Sequence, residues 1–161
     1  MDGAIRNWLL SGTLQNGTLD DALTLPAQDD DAKWTAVTTD ASGVINLSEH
    51  LPADGFGGGD ADRTTAIAKT VIGSDRERTV PLLFGYSDRI RVYLNGRVLY
   101  SGQNRFQEQD RRYQGLVSRT DTLYLDLREG VNELAFVMRE DDRFGWGFLT
   151  EVKSVEGLVL R

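Results

Sequence analysis

Side chains able to do covalent or acid–base chemistry are few in this sequence and poorly placed for it. Cysteine is absent and His50 is the one histidine. Thiolate catalysis, disulfides and centres built from Cys or His therefore have no material. The stretch GYSDR, Gly85 to Arg89, has the outline of a nucleophile elbow, but Arg89 stands where the last glycine belongs. No strand-turn-helix pattern follows it, and a serine triad would have to bring in His50 from far along the chain. Glycoside cleavage needs two carboxylates flanking a cleft at roughly 5–10 Å. Glu140, Asp141 and Asp142 form an acidic run between two strand-like segments, and such a run reads as a solvated turn.

Hard oxygen ligands are more plentiful. Asp29, Asp30 and Asp31 lie in QDDDAK, and Asp60 and Asp62 lie in the glycine-rich DGFGGGDAD. A calcium ion takes six to eight oxygens, backbone carbonyls included, so these loops could hold one structural calcium. Glycine–aspartate rolls need tandem copies and this chain has a single one. No other cofactor is expected, and an acidic surface that keeps the chain dispersed explains the same residues.

Reversible binding has better material. The loop SGQNRFQEQDRRYQG, Ser101 to Gly115, carries Asn104, Arg105, Asp110, Arg111 and Arg112 beside the rings of Phe106 and Tyr113. Guanidinium, amide and carboxylate groups exchange hydrogen bonds with hydroxyls, and a flat ring covers the apolar face of a sugar. Tyr93 and Tyr100 on the neighbouring hairpin and Trp146, between Gly145 and Gly147, are further candidate rings. Each has a plainer explanation. The loop could cap the fold with Phe106 buried and its arginines paired to Glu108 and Asp110, and Trp146 alternates with Phe148 as a core residue would.

The elements that must position these groups are strands. TVPLLFG, RIRVYL, TLYLDL, NELAFVM and WGFLTEV alternate with period two, so each puts one apolar set on one face. Further strands are expected at 5–10, 34–37, 65–72 and 158–160, with at most a helical turn in LDDAL and NLSEHL. Pro81 suggests an edge position or a bulge. Asn95-Gly96 is the strongest turn signal, because a two-residue type I′ turn needs positive φ at both central positions. A regular hairpin around it pairs Leu94 with Arg97, Tyr93 with Val98, Val92 with Leu99 and Arg91 with Tyr100. Ile90, Val92, Leu94 and Leu99 then face the core, and Arg91, Tyr93, Val98 and Tyr100 face outward. The expected architecture is all-β: one antiparallel β-sandwich domain spanning residues 1–161.

The balance of charge narrows the partners. The chain has 18 Lys and Arg against 25 Asp and Glu, a net charge of −7, and no basic stripe. Nucleic acid and anionic membrane surfaces are excluded on that ground. No apolar run approaches the roughly 18–20 residues of a membrane span, and MDGAIRNWLLSG lacks the pattern of a signal peptide. The chain reads as cytoplasmic as it stands, or as a domain cut from a larger protein.

The ordered series NWLLSG, SGVINL, RTTAIAKTVIGSDRE, LLFGYSDRIRVYLNGRVLYSG, DTLYLDLREGVNELAFVM and GWGF resembles the galactose-binding-like jelly rolls. These accompany many glycoside hydrolases, including the sugar-binding domain of family 2 enzymes, and occur as carbohydrate-binding modules. The most specific elements are a strand ending in Leu-Asn-Gly and a later Leu-x-x-Gly-x-Asn-x-Leu, met by Leu127, Gly130, Asn132 and Leu134. The resemblance implies a jelly-roll sandwich and raises the chance of a structural calcium at a sheet edge. Fold does not fix function. The leading expectation is a non-catalytic carbohydrate-binding or ancillary module. The alternative is a protein-interaction module whose outer sheet face packs on another domain or on a second copy. An enzyme of unknown class comes third.

Overall fold

The computed structural model describes residues 3–14, 34–39, 41–51, 65–104, 117, 119, 121–140 and 146–161. Strand follows strand: β1 (Asn7–Leu10), β2 (Thr35–Thr38), β3 (Val44–Asn46), β4 (Thr65–Ser74), β5 (Arg78–Ser87), β6 (Arg89–Leu94), β7 (Arg97–Gln103), β8 (Asp121–Leu127), β9 (Gly130–Arg139), β10 (Gly147–Val152) and β11 (Leu158–Leu160). The short β3 was not expected from sequence. A 3₁₀ turn at Leu47–Glu49, within NLSEHL, is N-capped by the Asn46 side chain. Among the described residues no helix is long and apolar enough to cross a membrane.

The strands form an antiparallel sandwich of jelly-roll type. The larger sheet has seven strands in the order β2-β1-β4-β9-β6-β7, with β11 also paired to β4, and the smaller runs β3-β10-β5-β8. Between them lie the expected core residues, with Val92, Leu125, Leu134, Phe136 and Phe148 all at 0% exposure. Leu123 packs against this core only partly buried. Trp8 anchors the centre, 5.2 Å from the Phe136 ring and 4.7 Å edge-on from Phe148. Pro81 is not on an edge strand: β5 lies between β10 and β8. It is tolerated because its carbonyl accepts from Lys153 just where β10 ends. Its nitrogen faces the same side of the strand, where no ladder partner is needed.

The hairpin departs from the regular pairing. Leu94 and Tyr93 pair with Arg97 and Val98 as expected, but Val92 then pairs with Tyr100, not Leu99, because the register shifts by a bulge. One extra residue reverses the faces of everything beyond it. Leu99 is 40% exposed, while Tyr100 turns inward and packs on the main core. The outer face itself is not a wet surface at this point. Tyr93 is 1% exposed and belongs to a second apolar layer with Ile67, Ala135 and Val137, against which Leu14, Trp34 and Val98 pack. Lys69 closes that layer with its ammonium 3.9 Å above the Trp34 ring.

Candidate functional site

Register places every long connection at one end of the sandwich. Thr65 pairs with Arg139, Arg139 with Arg89, and Arg89 with Gln103, while Gly147 pairs with Ser87 and Asn46, and Phe84 with Asp121. The chain segments after Leu51, Gln103 and Arg139 therefore leave from, or return to, this end. The opposite end has tight turns, including Asn95-Gly96 and the corner before Gly130, whose φ is +90°. A rigid scaffold with its longer loops gathered at one mouth is the usual arrangement of a binding surface.

At this mouth β5 passes directly into β6 through a corner, Ser87, Asp88 and Arg89. The two strands belong to different sheets, so the corner closes the end of the sandwich. Asp88 is only 2% exposed, and Ser87 Oγ donates to its Oδ1 at 2.8 Å. Strand-turn-strand geometry removes the elbow reading of GYSDR. Asn104, where β7 leaves the larger sheet, is tied to the corner twice. Its backbone N–H donates to the Asp88 carbonyl at 2.5 Å and its Nδ2 donates to the Tyr86 carbonyl at 3.1 Å.

Beneath this tie two tyrosines meet from opposite sheets. The Tyr86 and Tyr100 hydroxyls are 2.9 Å apart. Phe84 supports both rings, stacked 5.8 Å from Tyr86 and edge-on 5.3 Å from Tyr100. Gly102 is glycine for a steric reason, since a Cβ there would overlap both hydroxyls. Burial pushes the Tyr86 phenol well above its ordinary range, reinforced by the Tyr100 hydrogen bond and by the charge of Asp121. Two phenols sharing one hydrogen bond keep a single further O–H to donate and lone pairs to accept with.

Of the residues proposed from sequence, the structure brings Tyr100 and Asn104 to this end. Tyr93 and Trp146 are buried, Trp146 at 4% within the main core, so neither offers a ring face to solvent. The bulge and the second apolar layer also dissolve the expected outward face of Arg91, Tyr93 and Tyr100. Arg105, Asp110, Arg111, Arg112 and Tyr113 lie outside the described residues, as do Asp29, Asp30, Asp31, Asp60 and Asp62. Among the described residues no group of three His, Asp or Glu side chains is placed to hold a metal ion. Tyr86, Gly102 and Asp121 were missed. A glycine inside a strand, with a close approach to its backbone, was the available signal.

No protein-family model and no curated relative matches the sequence. Among solved structures, the chain is similar to a segment of the β-glucosidase of Kluyveromyces marxianus solved in complex with glucose, with a TM-score of 0.53 and 14% identity. The match covers 89% of this chain but 16% of that one. A family 35 carbohydrate-binding module from an environmental isolate aligns over 60% of this chain and 70% of its own at 13% identity. Its TM-score of 0.41 is too low to argue from. Layers, strand order and the likeness to the β-glucosidase segment agree on the fold, an antiparallel β-sandwich of jelly-roll type.

Proposed function

We propose that this chain is a non-catalytic carbohydrate-binding or ancillary module that contacts its ligand at the loop-bearing end. The observation that carries the reading is the half-buried Tyr100, its hydroxyl fixed 2.9 Å from that of the buried Tyr86, close to Asn104 where the long connections converge. Fixed hydroxyl donors and acceptors at a loop mouth suit a polyol, and the loop from Arg105 to Gly115 adds guanidinium groups and the Tyr113 ring in sequence. Support also comes from the fold's likeness to a minor segment of an enzyme crystallised with glucose. Affinity is expected to be modest, roughly micromolar to millimolar, because an open site leaves much of a sugar in water.

A glycan array with the intact protein, followed by calorimetric titration of any hit, tests this. Tyr113→Ala and Arg112→Ala should each weaken binding without lowering the melting temperature. If no glycan binds the wild type and both variants melt early, the loop is a structural cap and the reading fails. A protein-interaction module is then the better reading. Val131 and Val159, 62% and 53% exposed, flank Gly73 on the outer face of the larger sheet, and Leu9 adds a 40% exposed side chain there. Light scattering across a concentration series would detect self-association through that face.

A further inference from the structure

The end of the sandwich away from the long loops carries a second collection of ligand-like groups. Leu123, Leu125 and Leu127 of β8 point into the core, so Tyr124 and Asp126 share the outer face, about 7 Å apart along the strand. Tyr124 is 67% exposed. It pairs with Pro81, and Asp126 pairs with Thr79. The Pro81 carbonyl points to the β10 side, which makes Pro81–Tyr124 a non-hydrogen-bonded pair, the kind whose side chains lie closest. A phenol ring and a pyrrolidine ring thus stand side by side as an apolar floor, with the half-buried Leu83 next along β5 on the same face.

Polar groups border this floor in fixed positions. Thr79 Oγ1 donates to Asp126 Oδ1 at 2.6 Å, which sets the carboxylate and leaves its second oxygen for another donor. Beyond Asp126 the surface drops into an open cleft of about 520 Å³ lined by Glu77, Arg78, Thr79, Asp126, Leu127 and Arg128. Arg78 is ion-paired to Asp75 and donates to the Glu156 carbonyl at 2.5 Å. Its Nε is buried with no hydrogen-bond partner. Arg128 is held by its Nε donating to the Val131 carbonyl at 3.2 Å. Gly157, with φ +71°, makes room for this arrangement, because a Cβ there would overlap the Arg78 guanidinium and the Asp75 carboxylate.

From this geometry we propose a second saccharide-binding site, in which one sugar ring of a neutral glycan chain lies on Tyr124 and Pro81. The hydroxyls of the next sugar reach Asp126, Arg128 and Glu77 in the cleft. The lining has two arginines against two acids, so it selects neither a polyanion nor a polycation. A second protein copy would need about 800 Å² per partner with an apolar centre, and one exposed ring with two half-buried neighbours falls short of that. A ring face edged by carboxylate, guanidinium and hydroxyl groups matches a sugar, apolar on its faces and hydroxylated on its rim. The inference rests on the carbohydrate-module reading and adds a contact at the other end of the molecule, so a long chain could be gripped twice.

Native affinity electrophoresis in gels containing a soluble β-glucan, a xylan or a galactomannan tests it with intact wild type, Tyr124→Ala, Arg128→Ala and Tyr113→Ala. At least one polymer should retard the wild type. Tyr124→Ala should raise the apparent Kd about three- to tenfold, the range expected for one stacked ring, with an unchanged melting temperature. Combining it with Tyr113→Ala should abolish retardation. Undiminished retardation of Tyr124→Ala overturns the second site and leaves the module reading intact. If no polymer slows the wild type, both fall. A wild-type dimer in sedimentation that Tyr124→Ala converts to monomer would assign this face to protein contact and also overturn the proposal.

Discussion

Replacing Asn132 by alanine should be among the most damaging single changes that leave the core side chains untouched. Asn132 is completely buried. Its Oδ1 accepts from the Arg128 backbone N–H at 3.0 Å and from Asn95 Nδ2 at 3.0 Å. Its Nδ2 donates to the Arg128 carbonyl at 2.9 Å, with longer contacts to Gly130 at 3.3 Å and Ile72 at 3.4 Å. Asn95 in turn accepts from the Glu133 N–H through its own Oδ1. One amide therefore joins the β8–β9 corner to the β6–β7 hairpin. Three good bonds at about 0.5–1.5 kcal/mol each, plus partial desolvation of the orphaned Arg128 groups, give a loss of about 3 kcal/mol for Asn132→Ala. With a slope of about 1–3 kcal/mol per molar, the urea midpoint should fall by roughly 1–3 M at unchanged slope. Tryptophan fluorescence can follow it, since Trp8 and Trp146 are both core residues. Asn95→Gly keeps the positive φ of Asn95 and removes only its amide, so a double-mutant cycle with Asn132→Ala should give a coupling of about 0.5–1.5 kcal/mol. A loss below about 1 kcal/mol for Asn132→Ala, or no coupling, would refute the view that this amide holds the two turns together.

Two further expectations concern the tyrosine pair. Gly102→Ala should cost about 1–3 kcal/mol, because a methyl group there forces the two hydroxyls apart or shifts β7; a thermal melt identical to wild type would contradict the close approach. Tyr86→Phe should change stability in a pH-dependent way. The folded phenol is held above its ordinary value near 10, so its contribution is complete below that pH and is lost as pH rises, since only the unfolded chain releases the proton. Urea midpoints from pH 8 to 11 should therefore fall more steeply for wild type than for Tyr86→Phe, and parallel slopes would count against a buried phenol.

The fold was legible because period-two alternation is local information. RIRVYL and TLYLDL declare their inner faces without reference to anything else in the chain, and Asn95-Gly96 declares its own turn. The bulge at Leu99 was not legible in this way. VLYSG alternates as well in one phase as in the other, and only pairing with Val92 decides that Tyr100 turns in. The second apolar layer did leave a trace. β4 and β9 are neighbours in the interior of the larger sheet, and LAFVM is apolar at every position and AIA in β4 at three in a row, as strands covered on both faces tend to be. Treating Tyr93 as a surface residue followed from reading β6 alone instead of beside those two.

The candidate sites were harder to see, and the reason is the same at both ends of the molecule. Tyr86 and Tyr100 are adjacent only because β5 joins one sheet and β7 the other, with a one-residue slip that aims Tyr100 between them. Tyr124, Pro81, Asp126 and Arg78 are gathered by a register across β5 and β8, strands separated in sequence by a whole hairpin and the long loop after it. Each of these residues, taken singly, is an ordinary strand residue with an ordinary neighbour. The loop after Gln103 drew attention because charge and aromatic rings are concentrated there in sequence, and loops do carry function. Strands can place donors at fixed distances without any such local enrichment. In a sandwich whose glycines at 102 and 157 make room for tyrosine and arginine head groups, glycine positions within and beside strands point to ligand-like geometry better than local composition does.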